Sequence, residues 1–361
     1  MSKRVHNFSA GPCTLPLQAL EAAQQEFVDY HGAGMSLIEM SHRSKQYDAV
    51  HQDARALALK LWGAPDDFDV LFIQGGATLQ FAMLPMNLLT GDRKGAYAMT
   101  GTWAKGAFTD GSACCDVYPA WNGARENFTR MPKAGEIEIR DDTRYLHITS
   151  NETIGGIRYP EFPDVGVPLV ADMSSEMLAR PIPWELFDIV YGGAQKNLGP
   201  AGVGIVFIRK SILEETNHEL PRYLRYDIHQ TKESLFNTPP VFAIYMVGKV
   251  LKWMEAEGGL PEMERRAEEK SSLLYGGIDN SGGYYRCPVD TACRSRMNVV
   301  FRLPDEAREQ KFLAKTAEAG LLSLKGHRSV GGCRASIYNA MPLAGVQALA
   351  EFMDGFQAEN P

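Results

Sequence analysis

The chain is poor in cysteine, with six in 361 residues. Cys13, Cys114, Cys115, Cys287, Cys293 and Cys333 show no CxxC spacing, so neither a zinc site nor a disulfide framework is indicated. The adjacent Cys114-Cys115 reads either as a redox pair or as two half-buried thiols. The eight histidines form no HExxH or similar spacing, so no metal is expected. Basic charge is also scarce: 37 Lys and Arg stand against 44 Asp and Glu, a net charge of −7. Nucleic-acid binders usually show a basic excess or stripe, so no nucleic-acid partner is expected. A small anion needs only a few local arginines. No apolar run approaches the ~18 residues of a membrane span. VFAIYMVG (241–248) is far shorter and meets Lys249. The start, MSKRVHNFSAGP, lacks the apolar core of a secretion signal. The expectation is a cytoplasmic protein without membrane association. Internal repeats and low-complexity tracts are absent too.

What the chain does contain is ordinary for a globular protein, 45% hydrophobic and 22% charged. Its length suggests one large and one small domain. From about residue 15 to 260, apolar runs alternate with helical patterns. LPLQALEAAQQEFVDY (15–30) reads as a helix and DVLFIQ (69–74) as a strand. The turn Gly75-Gly76-Ala77 leads into a helical stretch, TLQFAMLPMNLL (78–89). RYLHITS (144–150), VPLVAD (167–172), FDIVYG (187–192) and VGIVFIR (203–209) are further strands. Continuous apolar strands alternating with helices predict an α/β fold with a mainly parallel sheet. A long helix is predicted over 238–259, stopping at Gly258-Gly259, and another over 261–276. The rest reads as a smaller α+β unit: strand 297–303, helix 305–320, strands 321–326 and 334–340, helix 343–356. The expected division is a large domain over 15–260 and a small one over 261–361, joined by 1–14. The boundary falls near 259–275.

Lys196 is the most informative residue. It follows the strand at 187–192 and sits among Gly193, Ala194, Leu198, Gly199 and Pro200. An ammonium there loses water, which lowers its pKa and makes the amine nucleophilic toward carbonyls. Asp172 closes the strand at 167–172. It is either a helix N-cap or a functional charge. A carbonyl-reactive lysine and a carboxylate at two strand ends are what a pyridoxal phosphate enzyme needs. The strand–GGAT–helix passage at 71–82 suits a phosphate, since small residues admit backbone N–H groups and the helix N-terminus adds a dipole. Alone, it serves equally as a tight turn. Trp103 lies in a loop of small residues, TGTWAKG (100–106), and can either stack on a flat ring or seal the core boundary. Thr153 stands near a strand end in SNETIGGI (150–157), where ligand or turn duty fits. His42-Arg43, His327-Arg328 and Arg334 are basic groups able to bind a substrate with two anionic ends, or simple surface turns.

Taken together, ten segments carry a resemblance. NFSAGP (7–12), SHRSKQY (41–47), GGATLQFA (75–82), GTWAKGA (101–107), NETIGGI (151–157) and ADMSSEMLARPI (171–182) come first. YGGAQKNLGPAG (191–202), FNTPP (236–240), SRMNVVF (295–301) and GHRSVGGCRASIYNAMP (326–342) complete the series. In this order, and nearly end to end, the chain resembles the phosphoserine aminotransferase family of class-V, fold-type I pyridoxal phosphate enzymes. The resemblance departs at Ala77-Thr78, where family members often carry Gly-Arg or Gly-Cys. Backbone N–H groups there still suit a phosphate, and the Thr78 hydroxyl is available for an added contact.

The resemblance implies a homodimer that exchanges the amino group of L-glutamate with 3-phosphohydroxypyruvate, giving O-phospho-L-serine and 2-oxoglutarate in L-serine biosynthesis. It also allows action on 4-phosphohydroxythreonine in pyridoxine biosynthesis. Lys196 would hold the cofactor as a Schiff base and move the substrate proton. Asp172 would pair with the ring nitrogen, Trp103 would stack on the ring, and Thr153 would bond its phenolic oxygen. Ala77, Thr78 and Gln195 would hold the phosphate, with Asn237 and Thr238 reaching it from a second subunit. Arg334 would take the α-carboxylate. His42 and Arg43, with His327 and Arg328, would take the distal phosphate or carboxylate, one pair coming from the second subunit. Two readings compete. One is another class-V enzyme, such as a serine–glyoxylate aminotransferase or a cysteine desulfurase. The other is a non-enzymatic phosphate-binding α/β protein, which predicts no Schiff base.

Overall fold

The computed structural model describes residues 4–361. The first three residues of the N-terminal stretch read above lie outside the described residues. β1 (His6–Asn7) is followed by α1 (Leu17–Glu26), α2 (Lys45–Trp62), β2 (Phe68–Gln74) and α3 (Gly76–Leu88). Next come β3 (Lys94–Met99), α4 (Thr102–Cys114), β4 (Val117–Asn122), β5 (Thr143–Thr149) and a small hairpin, β6 (Asn151–Glu152) with β7 (Ile157–Arg158). β8 (Leu169–Asp172), β9 (Phe187–Gly193) and β10 (Val203–Arg209) complete the sheet strands, and α5 (Tyr226–Thr231) and α6 (Val241–Ala256) pack on it.

These strands form a seven-stranded sheet in the order β2-β10-β9-β8-β5-β3-β4. β10 runs antiparallel to both its neighbours. The other pairs are parallel, as the continuous apolar runs predict. The strands are apolar at successive positions because both faces are covered. Val70 and Phe72 join one buried cluster, while Leu71 and Ile73 join the other. On the first face Trp62, Trp184, Phe68 and Phe207 meet edge-on or tilted, with ring centroids 4.8 to 5.7 Å apart. Such pairs add about 0.5–1.5 kcal/mol each beyond the area they bury. The carboxyl ends of β2, β3, β5, β8 and β9 share one edge of the sheet.

The remainder is α7 (Gly259–Asn280), β11 (Asn298–Phe301), α8 (Glu306–Glu318), β12 (Leu321–Leu322), β13 (Cys333–Ser336) and α9 (Leu343–Glu359). β11 pairs antiparallel with β13, and β1 pairs parallel with β12. A second core gathers here around Phe8, Phe301, Phe312, Leu349 and Phe356. The α6–α7 junction is sharp because Gly258 takes φ +110, a conformation that side chains resist. The predicted division at 259–275 falls inside α7. Met263 of that helix joins the large core, and Leu274 and Ile278 join the second.

Several expected bounds shrink. The helix read at 15–30 is Leu17–Glu26. The strand read at 321–326 ends at Leu322, because Ser323 turns to φ +66. The strand read at 334–340 is Cys333–Ser336.

Candidate active site

The edge formed by the strand ends holds a cavity of about 230 Å³. Ala77, Thr78, Trp103, Thr153, Asp172, Gln195, Lys196, His327 and Arg334 all reach it. Five further residues to which the sequence reading gave no site role also line it: Ala10, Gly11, Phe81, Ile154 and Ser174. His42, Arg43, Asn237, Thr238 and Arg328 are not among its walls. Arg43, Thr238 and Arg328 are exposed.

Lys196 sits in the turn after β9, only 9% exposed. Its Nζ donates to the Thr153 hydroxyl across 2.5 Å and lies 5.2 Å from the centre of the Trp103 ring. Burial pulls its pKa down to about 8, while Asp172 and Glu152 oppose the fall. This is the desolvated amine that the small neighbours of Lys196 predicted.

Asp172 ends β8 and is 5% exposed. Its Oδ1 accepts from the Ser174 backbone N–H at 2.8 Å and from the Ser174 hydroxyl at 2.6 Å. Gly193 N–H in turn donates to the Ser174 hydroxyl oxygen at 3.1 Å, which ties the carboxylate to the end of β9. The carboxylate is thus oriented by the turn that follows it, and no helix begins there for it to cap.

Trp103 corrects an expectation. It lies in the first turn of α4, not in a loop. The Gly-Thr-Trp passage looks irregular in sequence because the helix lacks a local cap: Gly101 stands at the N-cap with no side chain. The cap comes from Glu152, to which Trp103 N–H and Ala104 N–H donate at 3.1 and 2.9 Å. Glu152 is fully buried, and burial raises its pKa to about 7 against the pull of those two N–H groups.

α3 likewise begins without a side-chain cap, at Gly75 with φ +110. Its first-turn N–H groups are therefore available to an anion at Ala77 and Thr78. Arg334 leaves β13 with Nη1 donating to the Thr153 carbonyl at 3.3 Å. Trp103 Nε1, Gln195 Oε1 and Arg334 Nε are buried without hydrogen-bond partners. Unpaired buried polar atoms are costly, and three of them around one cavity mark a place built to bind something polar. A flat aromatic wall, a buried amine, a fixed carboxylate and an uncapped helix end suit a phosphorylated pyridine aldehyde. Among the described residues, no group of three His, Cys, Asp or Glu is placed to hold a metal ion. No helix among them is long and apolar enough to cross a membrane.

The aminotransferase class-V family profile matches residues 5–349. The phosphoserine aminotransferase of Niallia circulans is 51% identical over 358 residues, covering 99% of each chain. The solved phosphoserine aminotransferase from Bacillus circulans subsp. alkalophilus superposes with a TM-score of 0.98 at 50% identity, over 100% of both chains. A PLP-bound phosphoserine aminotransferase from Trichomonas vaginalis superposes with a TM-score of 0.93 at 38% identity, covering 97% of this chain and 100% of its own.

Proposed function

This chain belongs to the class-V aminotransferase family, and on that premise we propose that it is a phosphoserine aminotransferase. It transfers the amino group of L-glutamate to 3-phosphohydroxypyruvate, giving O-phospho-L-serine and 2-oxoglutarate in L-serine biosynthesis. Its cofactor is pyridoxal phosphate. The observation that carries the reading is the buried Lys196 amine, set between the Trp103 ring, the Thr153 hydroxyl and the Asp172 carboxylate.

When bound, the cofactor supplies an aldehyde for the lysine amine and a ring that takes up the electron pair left at the amino-acid α-carbon. The chain's own residues do the rest. Lys196 presents an amine with a depressed pKa, and Nζ then carries the proton removed from the α-carbon. Asp172, held in place by Ser174, would pair with the ring nitrogen. Trp103 would cover one ring face and exclude water from it. The Ala77 and Thr78 N–H groups and the Gln195 side chain would hold the phosphate. Arg334 orients the substrate through its α-carboxylate, with a planar guanidinium suited to a paired contact.

The remaining anchors belong to a second copy. His42, Arg43, Asn237 and Thr238 do not line their own chain's cavity. They stand in segments that also expose Phe27, Val28, Met35, Ile38 and Phe242, an apolar set of 38–80% exposure. Phe27 and Phe242 meet edge-on at 5.9 Å, which joins two of these segments. Large exposed apolar patches mark interfaces. In this homodimer Asn237 and Thr238 reach the partner's phosphate site. His42 and Arg43 join the partner's His327 and Arg328 around the distal phosphate or carboxylate.

The test uses purified protein with phosphoserine and 2-oxoglutarate, beside phosphohydroxythreonine as a second substrate. Turnover with phosphoserine is expected, with a visible absorbance band that shifts on adding glutamate and is trapped on Lys196 by borohydride. A colourless protein that borohydride leaves unlabelled rejects the reading.

A further inference from the structure

Resting on the reading above, we propose that Glu152 is a positioning residue: it locks the backbone beneath Trp103 to the turn that carries Thr153 and sets a buried carboxylate facing Lys196. α4 needs acceptors for its first N–H groups, and serine or aspartate at residue 101 would supply one locally. The chain uses glycine there instead. A Cβ at Gly101 would lie 2.5 Å from Glu152 Cδ, so the space of a local cap is filled by the distant carboxylate. Glu152 comes from β6, and Thr153 is the next residue. The stacking ring and the hydroxyl that accepts from Lys196 Nζ are therefore mounted on one linkage. Each Glu152 oxygen accepts from a backbone donor, which fixes the plane of the carboxylate.

The charge has its own effect. The ionisable groups facing Glu152 are Asp172 at the end of β8, Lys196 after β9 and Tyr159 after β7. Lys196 also feels Arg334 and Cys13. Glu152 and Asp172 both favour the protonated amine against burial, so removing the Glu152 charge lowers the Lys196 proton affinity further.

The experiment compares Glu152→Gln and Glu152→Asp holoenzymes with wild type. It reads the pH midpoint of the visible absorbance band, the visible circular dichroism, and kcat and KM for glutamate. For Glu152→Gln we expect a midpoint lower by about half a pH unit or more. An amide NH2 now opposes one N–H of the cap, so the dichroism changes and kcat falls about tenfold, with KM changed less than about threefold. Glu152→Asp keeps the charge and loses reach, so the midpoint returns to within about 0.2 unit while the dichroism stays altered. Variants that melt lower yet keep the wild-type midpoint and dichroism reduce Glu152 to a structural cap and overturn the proposal. If Glu152→Gln does not fold, the aspartate variant alone decides: an unaltered dichroism overturns the linkage. A wild-type protein without any visible band fails the functional reading itself, a result distinct from both.

Discussion

Lys196 Nζ donates to the Thr153 hydroxyl, although 43 positions separate the two residues. The same threonine offers its carbonyl to Arg334. One short turn thus touches both the amine and the arginine proposed to anchor substrate.

Replacing Lys196 by alanine is expected to lower transamination by about a thousandfold or more, since no other buried amine lines the cavity. The fold should persist, because the change deletes a desolvated charge. Steady-state assays beside thermal melting check both halves.

The pKa of about 8 gives a pH dependence with a definite sign. Burial lowers the folded value below the unfolded one, so the folded state binds the proton less well. Without cofactor, the cost of keeping Lys196 charged is present in full below pH 8. It is relieved as pH rises from 8 toward the ordinary lysine value. Against Lys196→Met, the cofactor-free wild type should therefore gain relative stability over that window. Denaturant titrations at several pH values measure it; a flat difference would contradict the depressed pKa.

Arg43→Ala is expected to weaken glutamate and phosphohydroxypyruvate binding about tenfold or more, with little change in cofactor affinity. The proposed homodimer adds a sharper expectation. Mixing Arg43→Ala with Lys196→Ala subunits creates one site with both the lysine and the arginine. With substrate well below KM, activity in the mixture should rise above the mean of the two parents, approaching a quarter of wild type at random assortment, by the counting that half the dimers are hybrid with one good site. If Arg43 served its own chain's cavity, mixing would restore nothing.

Val28 is 80% exposed beside Phe27. Val28→Asp places a charge in the proposed interface, where an unpaired carboxylate is costly to bury. Sedimentation should show monomers or a dissociation constant raised about a hundredfold. Cofactor affinity should fall with dimer loss, since the contacts proposed for Asn237 and Thr238 at the partner's phosphate site would be lost.

The sequence announces those parts of the molecule whose causes are local. Lys196 and Asp172 stand at the ends of apolar strands, and a strand buried on both faces writes itself as an unbroken hydrophobic run. Gly258-Gly259 stops a helix by backbone conformation alone. α4 escaped notice because its cap is Glu152, 49 positions from Trp103, and its first turn is rich in small residues. Ser174 gained its role from where β9 passes: the bond from Gly193 fixes its hydroxyl onto Asp172. The length of β12 depends on a single residue, Ser323, in the left-handed region, which no pattern of apolar residues announces.

α7 carries a consequence for unfolding. Its 22 residues form a rod about 33 Å long, with Met263 buried in one core and Leu274 and Ile278 in the other. A helix shared in this way cannot melt for one core and survive for the other. The two cores should therefore lose structure together, in one calorimetric peak, rather than as two separable transitions.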